Sequence, residues 1–209
     1  MEKITIGNCT LYNADCRDVL PELGRFDLLL TDPPYGLAEK LQGGTWGKSY
    51  DGDYQDWDYQ PPDFLPTITA ICNRSIIWGG NYFTLPSSRA WLVWSKPERG
   101  LTMADGELAW CSWDGNLRIK ELSRNPNNEK RDHPTQKPSR LMQWCIHQAD
   151  KQSHNAAIFD PFMGSGSTAM ACILEGRTFT GIEREPRYFD AACERIERAT
   201  AQGRLFTDA

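Results

Sequence analysis

Two acidic-proline strings, Asp32-Pro33-Pro34-Tyr35 and Asp160-Pro161-Phe162-Met163-Gly164-Ser165-Gly166-Ser167-Thr168, each stand directly behind a short apolar run. The runs, Phe26 to Leu30 and Ala156 to Phe159, have the length of buried strands rather than of buried helices. In an open α/β sheet, ligands bind beyond the carboxyl ends of the strands. Two such strings would therefore face one crevice. The first offers a carboxylate, a turn stiffened by proline and an aromatic face. The second is a glycine turn that lets backbone approach a ligand closely. Together they constrain the chain toward a doubly wound, mostly parallel α/β sheet.

The rest of the pattern agrees with that frame. Lys3 to Ile6 and Thr10 to Asn13 flank a Gly7-Asn8 turn signal, and a short helix is expected over Arg17 to Leu23. Residues 36–61 carry Gly, Asp, Tyr, Trp and Lys without an apolar period, and are expected to form a mobile active-site loop or a tolerated insertion. A helix is expected from Pro62 to Cys72, with strands over Ser75 to Trp78 and Ala90 to Trp94. Glu107 to Trp113 and Asn116 to Leu122 flank Asp114-Gly115, the strongest short hairpin signal. These add antiparallel hairpin strands to the sheet. Pro138 is placed to start a helix with Leu141, Cys145 and Gln148 on one face. The end of the chain reads as strand Ala156 to Asp160, helix Ser167 to Glu175, strand Thr178 to Glu183 and helix Pro186 to Ala201.

A chain of 209 residues suits a single domain over 1–209. No apolar run reaches membrane-spanning length and no signal peptide is evident at the start, so no membrane association and a cytoplasmic location are expected. The seven cysteines form no C-x-x-C pair and share no ligand spacing with His133, His147 and His154. They read as small buried hydrophobes, and no metal is expected. The net charge of −5 would repel nucleic acid as a whole. Arg118, Lys120, Arg124, Lys130, Arg131, Lys137 and Arg140 nevertheless cluster mid-chain, either as a solvated face or as a local phosphate-binding patch.

The two strings together resemble the amino-methylating DNA methyltransferases that use S-adenosylmethionine, and their order resembles the permuted β group of that family. The resemblance extends over nearly the whole chain and implies a Rossmann-like methyltransferase fold. It implies DNA as partner, S-adenosylmethionine as cofactor, and Asp32, Pro33, Pro34 and Tyr35 as the catalytic segment that holds a flipped base. The amine of a nucleobase is a poor nucleophile, because its lone pair is delocalised into the ring. Acceptors such as the Asp32 carboxylate and the Pro33 carbonyl would take its hydrogens, and Tyr35 would stack on the base. By the same resemblance, Asp160 holds the amino group of the cofactor's methionine part, with Phe162 packed nearby. Gly164, Ser165, Gly166 and Thr168 line the cofactor and Glu183 takes its ribose. Asn13-Ala14-Asp15-Cys16 resembles the segment at the cofactor's adenine, although Asp15 would equally serve as a helix cap. His133-Pro134-Thr135-Gln136-Lys137-Pro138 matches the segment at the methionine moiety, which brings in His133, Thr135 and Lys137.

Asp32 and the Ile77-Trp78-Gly79-Gly80-Asn81 segment resemble the adenine-N6 members, with cytosine N4 as the alternative. A non-catalytic cofactor-binding subunit is a further alternative. Gly164-x-Gly166-x-x-Ala169 also fits a dinucleotide fingerprint, but a dehydrogenase would leave Asp-Pro-Pro-Tyr without a use. Lys96, after Trp94-Ser95, is expected at a phosphate or base edge or, more commonly for such a lysine, on the surface. Trp46 and Trp57 are candidate DNA contacts. Only 113–132 is available as a short target-recognition segment, which predicts relaxed site specificity and resembles compact phage or prophage enzymes. A homodimer fits the group, but no interface stands out.

Overall fold

The computed structural model describes residues 1–37, 62–100, 104–124, 126, 136–149 and 156–207. Among them, nine strands form a single sheet in the order β1-β2-β9-β8-β3-β4-β6-β5-β7. The strands are β1 Glu2–Ile6, β2 Cys9–Asn13, β3 Phe26–Thr31, β4 Cys72–Trp78, β5 Trp91–Ser95, β6 Gly106–Cys111, β7 Arg118–Glu121, β8 Ala157–Asp160 and β9 Thr178–Glu183. The helices are α1 Cys16–Val19, α2 Leu65–Ala70, α3 Ser139–Ala149, α4 Ser167–Leu174 and α5 Pro186–Thr207.

The middle of the sheet, β2-β9-β8-β3-β4, is parallel throughout. A parallel sheet must be covered on both faces, and successive residues of β3 show how. Leu28 and Leu30 point into a core shared with α3, α4 and α5, while Leu29 points into a second core with Val19 of α1 and with Leu65 and Ile68 of α2. The expected doubly wound α/β fold is thus present. Six of the seven cysteines are buried and Cys193 is partly so, all as free thiols. Among the described residues, no helix is long and apolar enough to cross a membrane.

The Asp114-Gly115 hairpin is not formed. β6 is hydrogen-bonded on one edge to β4 and on the other to β5, so it has no edge left for β7. β7 instead pairs in parallel with β5, Val93 opposite Ile119. Asp114 is held by a two-pronged contact from Arg89, at 2.7 and 2.9 Å. The N-terminal hairpin is formed as expected, Ile6 opposite Cys9. Apart from Gly36 and Leu37, the loop expected over 36–61 lies outside the described residues, as do Trp46, Trp57, Lys130, Arg131, His133 and Thr135.

Candidate active site

Five parallel strands deliver their carboxyl ends to one side of the sheet. β2 leads into Asp15, β3 into Asp32, β4 into Gly79, and β8 and β9 end on Asp160 and Glu183. A cavity of about 540 Å³ opens there, and its wall includes Asp15, Cys16, Asp32, Pro34, Lys137, Asp160, Phe162, Gly164, Ser165, Thr168 and Glu183. Residues from both ends of the chain therefore meet in one crevice.

Asp160 is buried and its oxygens are well supplied with donors. Oδ1 accepts from Thr31 Oγ1 at 2.7 Å and from the Phe162 amide at 3.1 Å, and Oδ2 accepts from Thr168 Oγ1 at 2.7 Å. Burial raises its pKa to about 6, against the pull of the two hydroxyls and the amide. None of these partners is cationic, so the carboxylate is left without a counter-charge among them. Thr168, in the cavity wall, thus turns its hydroxyl onto Asp160. Thr31, which no motif singles out, does the same from the neighbouring strand.

Glu183 accepts the Gly164 amide on Oε2 at 3.0 Å and the Glu185 amide on Oε1 at 2.8 Å. Burial raises its pKa to about 7, with the two amides opposing. Both acids border one cavity of nucleoside size, and these hydrogen bonds give neither a cation. Such an acceptor set fits an ammonium at Asp160 and a sugar diol at Glu183, two groups that S-adenosylmethionine carries.

The remaining residues on this side take distinct places. Asp15 caps α1 by accepting the Arg17 amide at 2.9 Å and pairs with the Arg17 guanidinium at 2.6 Å, while still facing the cavity. The side chain of Cys16 is buried, and its thiol is pushed up to about 12 by that burial. Ser165 Oγ donates to Gln136 Oε1 at 2.8 Å, which joins the glycine turn to the segment before α3. Phe162 meets Phe64 with ring centroids 6.1 Å apart. Phe64, Pro62 and Asp63 also border the cavity, and no sequence signal points to them. Gly166 is not part of the cavity wall. Its φ of +81° turns the chain into α4, and a Cβ there would lie 3.4 Å from Ala192 of α5.

Beside the cavity stands a denser charged group. Tyr35 Oη donates to Asp32 Oδ1, and Lys137 Nζ donates to Asp32 Oδ2. Lys137 also lies 3.2 Å from Tyr35 Oη and 3.2 Å from Glu107 Oε2. Glu107 in turn holds Lys96. Desolvation raises the Asp32 carboxyl above its ordinary value, opposed by Lys137 and reinforced by Glu107. Burial alone would lower the Lys137 ammonium, yet Asp32 and Glu107 hold it above the usual lysine value. Burial likewise pushes Glu107 up, but Lys137 and Lys96 outweigh it and hold that carboxyl at about 2. Lys96 is 5 % exposed, so it is neither a surface lysine nor placed at an open edge.

Tyr35 is boxed by aromatic and glycine neighbours. Its ring stacks on Tyr82 at 5.0 Å and 22°, and Phe83 meets it edge-on at 6.1 Å. Gly79, at φ +68°, abuts the Tyr35 ring so closely that a Cβ would fall 2.2 Å from it. Asn81, expected as a polar contact or a cap, is exposed.

The N6/N4 methyltransferase family model, described as DNA methylase, matches residues 73–194, more than half of the chain. The chain belongs to this family. Among its relatives, the type II methyltransferase M2.LlaDCHI of Lactococcus lactis subsp. cremoris is 32% identical over 249 aligned positions, covering 94% of this chain and 92% of its own. That alignment takes in the stretch from Asp32 to Tyr35, which the family model does not reach. Of solved structures, M1.HpyAVI in complex with S-adenosylmethionine superposes with a TM-score of 0.60 at 22% identity, covering 90% of this chain and 99% of its own. The cytosine-N4-specific PvuII DNA methyltransferase gives 0.63 at 16% identity, covering 95% and 93%. The reaction of this family is methyl transfer from S-adenosylmethionine to an exocyclic amine of DNA.

Proposed function

We propose that this chain acts on the N6 amine of adenine. The observation that carries this reading is the Asp32 carboxylate at the end of β3, beside Tyr35 and in the wall of the cavity that Asp160 and Glu183 share. A carboxylate there accepts a hydrogen of the amine, the Pro33 carbonyl accepts the other, and the nitrogen lone pair is released toward the methyl donor. Tyr35 offers its face to the flipped base. When bound, the cofactor supplies an electrophilic methyl on a sulfonium. Asp160 receives the cofactor's ammonium, Glu183 its ribose hydroxyls, and Phe162 packs alongside. Position and charge complementarity carry the rate in this arrangement. Transfer leaves the nitrogen positively charged and strongly acidic, and its proton then passes to the Asp32 carboxylate and on to solvent.

The choice of adenine rests on Asp rather than Ser at position 32 and on the Gly79-Gly80-Asn81 segment. The fold likeness to a cytosine-N4 enzyme makes N4 of cytosine the second reading. Purified protein is incubated with S-adenosylmethionine and unmethylated DNA, and the digested nucleosides are separated by mass spectrometry. N6-methyladenine is the expected product, and N4-methylcytosine alone would overturn the choice of base. Asp32→Ala is expected to abolish transfer and leave cofactor binding nearly intact. Transfer at the wild-type rate would remove Asp32 from the reaction. Residues 113–132 are further proposed as the target-recognition segment.

A further inference from the structure

The roles given to Asp32, Tyr35 and the cofactor acids leave two charges without a task, the partly buried Glu107 and the buried Lys96. We propose that Glu107 is a positioning residue for the transfer, which draws Lys137 off Asp32 as the target amine arrives, while Lys96 keeps Glu107 in place. The proposal rests on the reading of Asp32 as the amine acceptor.

The geometry supplies the reason. Both oxygens of Asp32 are engaged, one by the Tyr35 hydroxyl and one by the Lys137 ammonium. An incoming amine needs one of them. The Tyr35 hydroxyl shares the ring that is to stack on the base, so Lys137 is the partner free to yield. It already has a second anionic partner, Glu107 Oε2 at 3.2 Å, and reaches it without crossing open space. The side chains of Lys137 and Lys96 are 4% and 6% exposed, so neither ammonium has bulk water to turn to. A buried ammonium leaves one carboxylate only where another takes its place.

Lys96 completes the balance. It follows β5 directly, and Glu107 stands on β6 opposite Trp94, so the sheet register itself sets the pair. Lys96 also lies 4.6 Å from the Trp94 ring centroid, which fixes the ammonium from its other side. The chain Asp32–Lys137–Glu107–Lys96 is neutral when all four groups are ionised. Buried ion pairs of this kind are often no more stabilising than apolar residues of the same volume. Their presence next to the reacting carboxylate is therefore better explained by a task than by stability. Removing Glu107 would strengthen the grip of Lys137 on Asp32, and removing Lys96 would weaken it.

Other charged or titratable groups near Asp32 are held constant in the test. They are Tyr35 on its own turn, Asp160 at the end of β8, Tyr82 against Tyr35, and Arg124 near Lys96.

The test compares Glu107→Gln, Lys96→Met and wild type in kcat as a function of pH, with the KM for S-adenosylmethionine measured alongside. Glu107→Gln is expected to lower kcat roughly tenfold or more, leave that KM unchanged, and move the acidic limb to lower pH. Lys96→Met moves the limb the opposite way, to higher pH. Glu107→Asp, which keeps the charge, returns the limb toward wild type. A merely structural role would alter stability without opposite shifts of the limb. The same shifts are read without DNA or turnover from the carbon-13 carboxyl titration of Asp32, assigned with Asp32→Asn. A wild-type limb and rate in Glu107→Gln, or shifts of the same sign in Glu107→Gln and Lys96→Met, would overturn the proposal. The titration needs no methyl transfer, so its failure and a failure of the adenine assay are separate outcomes.

Discussion

Glu183 accepts two backbone amides, yet burial still holds its carboxyl at about 7 against an ordinary 4.5. If ribose hydroxyls donate to it, binding requires the ionised form. The affinity for S-adenosylmethionine is then highest above pH 7 and weakens below it, approaching tenfold per pH unit. Isothermal titration between pH 5.5 and 8.5 reads this slope, and Glu183→Gln is expected to flatten it. A slope that persists in the variant would shift the dependence to another group, Asp160 first. The stability of the ligand-free protein runs the other way. A carboxyl raised in the folded state contributes stability that is present below 4.5 and lost as pH rises through about 7. A second prediction at this scale concerns Gly79, whose missing Cβ makes room for the Tyr35 ring. Gly79→Ala forces both a strained φ and a clash, so the ring must leave its place. Transfer to DNA is expected to fall steeply while cofactor affinity, measured by the same titration, stays close to wild type.

Elements matter here through what joins them, and Thr31 is the clearest joint. Its hydroxyl, at the end of β3, donates to Asp160 at the end of β8. Thr31→Val keeps the shape and deletes the bond to a buried carboxylate, for an expected loss of about 1–3 kcal/mol in chemical denaturation. Cofactor affinity is expected to fall with it, because Asp160 then keeps its proton to higher pH. An unchanged denaturation midpoint would show that the hydroxyl is dispensable. Such joints also mark where sequence reasoning reaches its limit. Strands β3, β8 and β9 are legible as apolar runs ending at acids, because burial on both faces leaves a compositional trace. Thr31 and Glu107 leave none, since a lone threonine or glutamate becomes informative only when the register puts a partner opposite it. Lys96 passes for a surface lysine for the same reason. Asp114-Gly115 carries a genuine local turn preference, but pairing of β6 with β4 and β5 overrides it. Local chemistry favours a turn, and the supply of free strand edges decides whether it becomes a hairpin.

For the whole molecule, target choice is the property that the compact design bears on most. The alignment with M2.LlaDCHI extends over 249 positions against a chain of 209 residues, so that relative carries at least 40 residues without a counterpart here. With little chain left over for reading bases, and a net charge of −5, broad and salt-sensitive recognition is expected. Sequencing that detects methylated bases, applied to DNA treated in vitro, should find modification in many contexts. A single strict motif of about six or more bases would contradict this and assign more reading power to 113–132 than its length suggests. The strand order has a consequence for how such a chain is made. β2 and β3 emerge early, but the two strands that lie between them, β9 and β8, are the last of the sheet to be synthesised. Until then the nascent protein holds a hairpin and a separate five-stranded piece, each with an open edge. The crevice is closed by β8 and β9, so synthesis halted before them leaves two half-sheets with unpaired edges and no binding site.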